Sequence, residues 1–105
     1  MKDHIMVIVK RPAERAYWTV VKNELSALQR LVGGHLEVIR LQRCLALVDE
    51  EGKLKGLKPN MVFGMDAIVG TIVFVGEDGE EFTDCPAKWS EILRDMDDLW
   101  LSGDV

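Results

Sequence analysis

The stretch LVGGHLEVIRLQRCLALVDEEGKLKGLKPN, residues 31–60, decides the fold. A helical segment ends at Gly33-Gly34, where glycine supplies the left-handed residue that closes a helix. His35-Leu36-Glu37-Val38-Ile39-Arg40-Leu41 and Cys44-Leu45-Ala46-Leu47-Val48 then read as two strands joined by a tight connection at Gln42-Arg43. Asp49-Glu50-Glu51-Gly52-Lys53 turns the chain again, and Pro59-Asn60 stops any long regular element from running through.

Working outward towards the N-terminus, Asn23 is a good helix cap, and Leu25, Leu28, Leu31 and Val32 follow at helical spacing. Tyr17-Trp18-Thr19-Val20-Val21 is aromatic and β-branched, as strands are. Ile5-Met6-Val7-Ile8-Val9 is apolar on both alternating faces, so it reads as a central strand. Lys10 to Arg15, with Pro12, reads as the polar connection between these two strands.

Towards the C-terminus, residues 61–67 read as a helical turn or loop that packs Met61, Phe63 and Met65 inward. Ile68 to Val75 is the strongest strand in the chain, interrupted only by Gly70 and Thr71, and is expected in the middle of the sheet. Glu77-Asp78-Gly79-Glu80 is a turn. A last helix is expected with Thr83 or Asp84 as its cap, Pro86 in its first turn, and Trp89, Ile92, Leu93, Met96 and Trp100 as its apolar face. Asp95, Asp97 and Asp98 sit oddly there, because carboxylates are unfavourable at the negative end of a helix dipole. The fold expected is one α+β domain over residues 1–105, with a frayed tail. It has a single mixed, mostly antiparallel sheet of about five strands and two helices packed on one face.

The chain has 105 residues, 48% hydrophobic and 30% charged, which suits one folded domain and lies outside the range of disordered chains. The net charge of −5 is unevenly spread: eleven Lys and Arg face seven Asp and Glu as far as Lys58, and two face eleven after it. No apolar run reaches the roughly 20 residues a membrane-spanning helix needs, and no signal peptide is read, so the cytoplasm is the expected location. Cys44 and Cys85 lie in no Cys-x-x-Cys pair and read as reduced, structural thiols.

Few residues carry recognisable chemistry. Gly33-Gly34 follows a helix instead of preceding one, which is the wrong polarity for a phosphate loop. His35 and Glu37, two apart on a strand, share a face and would make an acid/base pair if that face lined a pocket, the alternative expectation being a small ligand-binding domain or enzyme that uses it. His4, His35, Cys44 and Cys85 lack the short paired spacing of a zinc site, and the acidic run 77–84 lacks the order of a calcium loop. No catalytic residue, metal or cofactor is assigned. Lys10, Arg11, Arg15 and Lys22 beside Tyr17 and Trp18 mix cations with stacking rings, as a weak nucleic-acid-binding surface would, although the chain as a whole is acidic.

Leu-Gln-Arg-Leu-Val-Gly-Gly at 28–34, His35-Leu36-Glu37-Val38, Leu-Val-Asp-Glu-Glu-Gly-Lys at 47–53, Gly56-Leu57-Lys58-Pro59-Asn60 and Ile68-Val69-Gly70-Thr71 together resemble the family known as domain of unknown function 3846. The resemblance spans nearly the whole chain and implies a phage, plasmid or bacterial setting. It brings no activity. Arg11-Pro12-Ala13 departs from the Pro-Gly expected after the first strand. The functional expectation is a small non-catalytic interaction or accessory domain, paired with itself as a homodimer or with another protein through a free sheet face or edge strand. Trp100 and Leu101 are the expected docking residues on the last helix.

Overall fold

The computed structural model describes residues 3–100, which fold into nine strands and two short helices. In chain order these are β1 (His4–Lys10), β2 (Tyr17–Lys22), α1 (Leu25–Val32), β3 (Leu36–Arg40), β4 (Leu45–Asp49), β5 (Pro59–Phe63), β6 (Asp66–Val69), β7 (Ile72–Asp78), β8 (Glu81–Thr83), α2 (Trp89–Ile92) and β9 (Asp97–Asp98). The main sheet has the order β2-β1-β7-β4-β3, with β8 paired to the far end of β7, and a second sheet has the order β6-β5-β9. Every strand pairing is antiparallel. As the apolar run of 68–75 implies, β7 is the middle strand.

Strand alternation divides the core into two layers. Ile5, Val7 and Val9 of β1, Leu45 and Leu47 of β4, and Val73 and Val75 of β7 pack with Leu28 and Val32 of α1. Ile8, Ala46, Val48, Ile72 and Phe74 point the other way, towards Met61 and Ile68 of the second sheet and Ile92 of α2. The expected single sheet with both helices on one face is therefore corrected. There are two sheets, and the helices lie on opposite faces of the larger one. Runs that are apolar on both faces require cover on both, and the second sheet supplies the cover that two short helices cannot.

The break between the sheets lies at Gly70-Thr71, inside what reads as one strand. Gly70 takes φ +77, and a Cβ there would lie 2.7 Å from Leu57 Cδ1. The chain turns at this point, so that 68–69 and 72–78 belong to different sheets. Residues 59–69 form a hairpin, not a helical turn; Met61 is buried, Phe63 is half-buried and Met65 is fully exposed at its tip.

The C-terminal helix is also shorter than its apolar spacing predicts. It begins at Trp89 with Lys88, not Thr83 or Asp84, as the cap, where the Lys88 amide donates to Glu91 Oε1 at 2.9 Å. It closes at Ile92, whose carbonyl accepts from the amides of Asp95 and Met96. Asp97 and Asp98 then pair as a strand with Val62 and Met61. The three aspartates that would oppose a helix dipole thus meet no long helix. α1 is capped at Glu24 instead of Asn23 and ends as expected at Gly33, φ +101. Ala13, standing where Pro-Gly is expected, holds a left-handed φ of 58 that glycine adopts without strain.

Candidate functional site

The motifs at 31–34, 49–60 and 68–71 converge in space, and they converge on each other. Asp49 ends β4 with its side chain 2% exposed, accepting from Lys55 Nζ at 2.7 Å and from the Glu51 amide at 2.9 Å. Lys55 Nζ also donates to the Gly33 carbonyl at 3.1 Å. A Cβ at Gly34 would lie 2.8 Å from both Asp49 carboxylate oxygens, and one at Gly52 would lie 2.9 Å from Val69 Cγ2. The glycines are there to let the turn close on the helix end.

The Lys55 ammonium holds the Asp49 carboxyl below its ordinary pKa, helped by the Glu51 amide, and Asp49 in turn raises Lys55. A lowered carboxyl pKa stabilises the fold above the unfolded value near 3.9 and loses that effect as pH falls through the folded value. A raised lysine pKa works in the opposite direction, its effect being lost as pH rises past the folded value. Asp49→Asn is therefore expected to lower Tm between about pH 5 and 9 and to converge on the parent protein towards pH 3. Thermal melts across that range check this; a Tm deficit that persists undiminished at pH 3 would assign the loss to packing.

A second polar cluster is fully buried. Lys10, at 0% exposure, reaches Asn60 Oδ1 at 2.9 Å, the Arg11 carbonyl at 2.8 Å and Asp98 Oδ1 at 3.3 Å. Asn60 Nδ2 donates to the carbonyls of Lys10 and Gly70, each at 2.8 Å, and Asp98 Oδ1 accepts from the Trp100 amide at 3.0 Å. The cluster ties β1, β5, β9 and the Gly70 break together. Each of its side chains has internal partners.

Of the four cations considered for nucleic acid, Lys10 is thus inside the protein. Arg11 donates to the Tyr17 hydroxyl and lies 5.8 Å from that ring, Arg15 lies over the Trp100 ring at 5.5 Å, and Lys22 pairs with Glu24 at 3.2 Å. The remaining three cations each have a partner within the chain, and the Tyr17 and Trp100 rings carry an arginine. His35 and Glu37 are both exposed, and Glu37 borders a groove of about 180 Å³ whose lining does not include His35. Trp100 lines an apolar cleft of about 400 Å³ with Arg15, Ala16, Trp89, Leu93 and Asp98; Leu101 lies outside the described residues. Among the described residues, no group of three or more His, Cys, Asp and Glu is gathered as metal ligands, and no helix is long and apolar enough to cross a membrane.

β2 and β3 are the outer strands of the main sheet, and the β2 edge carries the more exposed apolar side chains. Trp18, Val20 and Met6 are 48%, 56% and 42% exposed, and Met6 stands directly opposite Val20 across the β1–β2 ladder. The Asn23 amide donates to the Asp3 carbonyl at 2.8 Å, which sets the alternation: odd-numbered residues of β2 bond to β1, and Trp18 and Val20 turn their amides and carbonyls outward. Met6 confirms the phase, since its amide donates to Asp84 Oδ1 and its carbonyl accepts from the Cys85 amide, both on the side away from β2. Spacing alone identifies Trp18 and Val20 as strand residues; that this strand lies at an edge is a matter of topology.

The family model described as domain of unknown function (DUF3846) matches residues 1–96. The chain belongs to this family. No curated protein and no solved structure matches it. In this DUF3846 chain, the residues that carry the resemblance are those that close turns and pack glycines, whereas the open edge lies outside them.

Proposed function

We propose that this DUF3846 domain is a non-catalytic interaction module that associates through the open edge of β2, and that the partner its geometry favours is a second copy of the same chain. The observation that carries this reading is the coincidence at one sheet edge of outward amides and carbonyls at Trp18 and Val20, unpaired among the described residues, with an exposed apolar row of Met6 on β1 and Trp18 and Val20 on β2. Long exposed edges invite pairing, and soluble proteins ordinarily blunt them with charge, proline or a bulge. β2 carries none of these before Lys22.

Antiparallel pairing of two such edges is self-complementary. With the twofold axis at Thr19, the outward residues Trp18 and Val20 of each copy face Val20 and Trp18 of the other, and the two apolar rows merge on one face. Val20→Pro is the decisive variant. It removes an amide that points to solvent, so the ladder to β1 stays intact, and Thr19 is already extended as a residue before proline must be. Light scattering and sedimentation over a wide concentration range are expected to show a dimer for the parent chain. Val20→Pro and Trp18→Lys should be monomers with unchanged circular dichroism. A parent chain that is a monomer throughout, or a Val20→Pro variant that still dimerises, would sink the reading.

A further inference from the structure

Beside the start of β2, the cleft of about 400 Å³ lined by Arg15, Ala16, Trp89, Leu93, Asp98 and Trp100 combines apolar walls with an uneven charge. Its walls are fixed from behind. Trp89 and Leu93 pack against the core layer around Phe74, and the Trp89 ring meets Phe74 edge-on at 5.8 Å. The Trp100 amide donates to Asp98 Oδ1 at 3.0 Å, and Asp98 itself is held in the ladder with Met61.

Asp98 is the only carboxylate in the lining, and it is turned inward. Its side chain is 2% exposed, with Oδ1 3.3 Å from the buried Lys10 ammonium. Arg15 is the reverse case: it is exposed, lies over the Trp100 ring at 5.5 Å, and forms no salt bridge among the described residues. A guanidinium lying over a ring keeps N–H groups at its edge, in the fork that matches a carboxylate. With Lys10 cancelling Asp98, the positive charge of Arg15 is left without an anion.

We propose that this cleft is a binding site for a small aromatic carboxylate, its ring against Trp89, Leu93 and Trp100 and its carboxylate on Arg15. Three features support this. The volume is that of a small-molecule site, mostly apolar with one convergent charged group. Two indole rings in the lining favour a planar aromatic body, which they contact face or edge, over an aliphatic chain. One unmatched cation suits a monoanion, whereas a phosphate ester would bring a second charge with nothing in the lining to meet it. The walls are already in place, so little ordering opposes binding. Met6, Trp18 and Val20 do not line the cleft, so the site does not depend on pairing at the β2 edge.

The test titrates the full chain with 1-naphthaleneacetate, and with 2-(1-naphthyl)ethanol and 2-(1-naphthyl)ethylamine as neutral and cationic probes of similar shape, by calorimetry and by NMR of the indole N–H groups. The carboxylate is expected to bind with a Kd below about 1 mM, moving the Trp89 and Trp100 signals together and leaving Trp18 in place. The alcohol should bind at least about tenfold more weakly, and the amine more weakly still. Arg15→Gln, at an exposed position, should keep its circular dichroism, bring the carboxylate down to the affinity of the alcohol, and leave the alcohol unchanged. Trp18→Lys, which should abolish self-association, is expected to bind the carboxylate as the parent does, so failure of β2 pairing and failure of this site are told apart. No binding of 1-naphthaleneacetate at millimolar concentration, equal affinity for acid, alcohol and amine, an Arg15→Gln variant that binds like the parent, or a response at Trp18 equal to that at Trp89 would each overturn the proposal. Binding that weakens as the protein is concentrated would overturn it too, by giving the cleft to a second copy of the chain.

Discussion

Lys10→Met is expected to lower stability by about 3–5 kcal/mol, because it leaves the Asp98 carboxylate and Asn60 Oδ1 buried without their cation. Lys10 is wholly enclosed, and the side chain of Asp98 is 2% exposed, so water cannot replace the missing charge. A domain of this size has about 5–15 kcal/mol in total, and Tm falls by about 4–8 °C per kcal/mol, so the variant should melt roughly 12–40 °C lower. The pair's own net contribution is a separate quantity. Removing both charges in Lys10→Met/Asp98→Leu is expected to recover much of the loss, since a buried ion pair often gains little over apolar replacement. Urea titration of the single and double variants measures both values. A single variant within a few degrees of the parent would mean that Lys10 reaches solvent.

The second large effect is expected at Phe74, the central residue of the layer between the two sheets. Its ring is fully buried and meets Trp89 edge-on, with centroids 5.8 Å apart and planes at 71°. Phe74→Ala removes this contact and leaves a cavity bounded by β7, the second sheet and α2, at a cost of about 3–5 kcal/mol. The midpoint in urea should fall with little change in slope. Hydrogen exchange should quicken first in β5 and α2, which reach the main sheet through this layer, and less in α1 on the opposite face. Equal loss of protection on both faces would show that the two core layers do not open separately.

The parts of the fold that local rules govern are legible in the sequence. Gly33 ends α1, β3 and β4 form a hairpin, Asp78-Gly79 turns β7 into β8, and the apolar run around Val73 lies in mid-sheet. The misreadings share a cause. Lys10 reads as part of a polar connection, yet strand alternation places it beside Ile8 on an inward face; only Asp98, at the other end of the chain, makes that position tolerable. Trp89, Ile92, Met96 and Trp100 keep helical spacing, but Asp97 and Asp98 are drawn into a ladder with β5 by that same lysine. Gly70 reads as a flaw within one strand because Leu57, the side chain that requires it, comes from a separate loop. The open β2 edge depends wholly on strand order, which no local pattern states.

The order β2-β1-β7-β4-β3 has a consequence for how the sheet is assembled. β1–β2 and β3–β4 are hairpins of neighbouring segments and need only local chain to form. They share no ladder with each other; each meets its neighbour only through β7. During synthesis from the N-terminus, both hairpins therefore emerge with an apolar flank uncovered until Ile72–Asp78 leaves the ribosome and slots between them. The last long strand to appear is the keystone of the sheet, and nascent chains that stall before it display two vacant edges where the finished molecule displays neither.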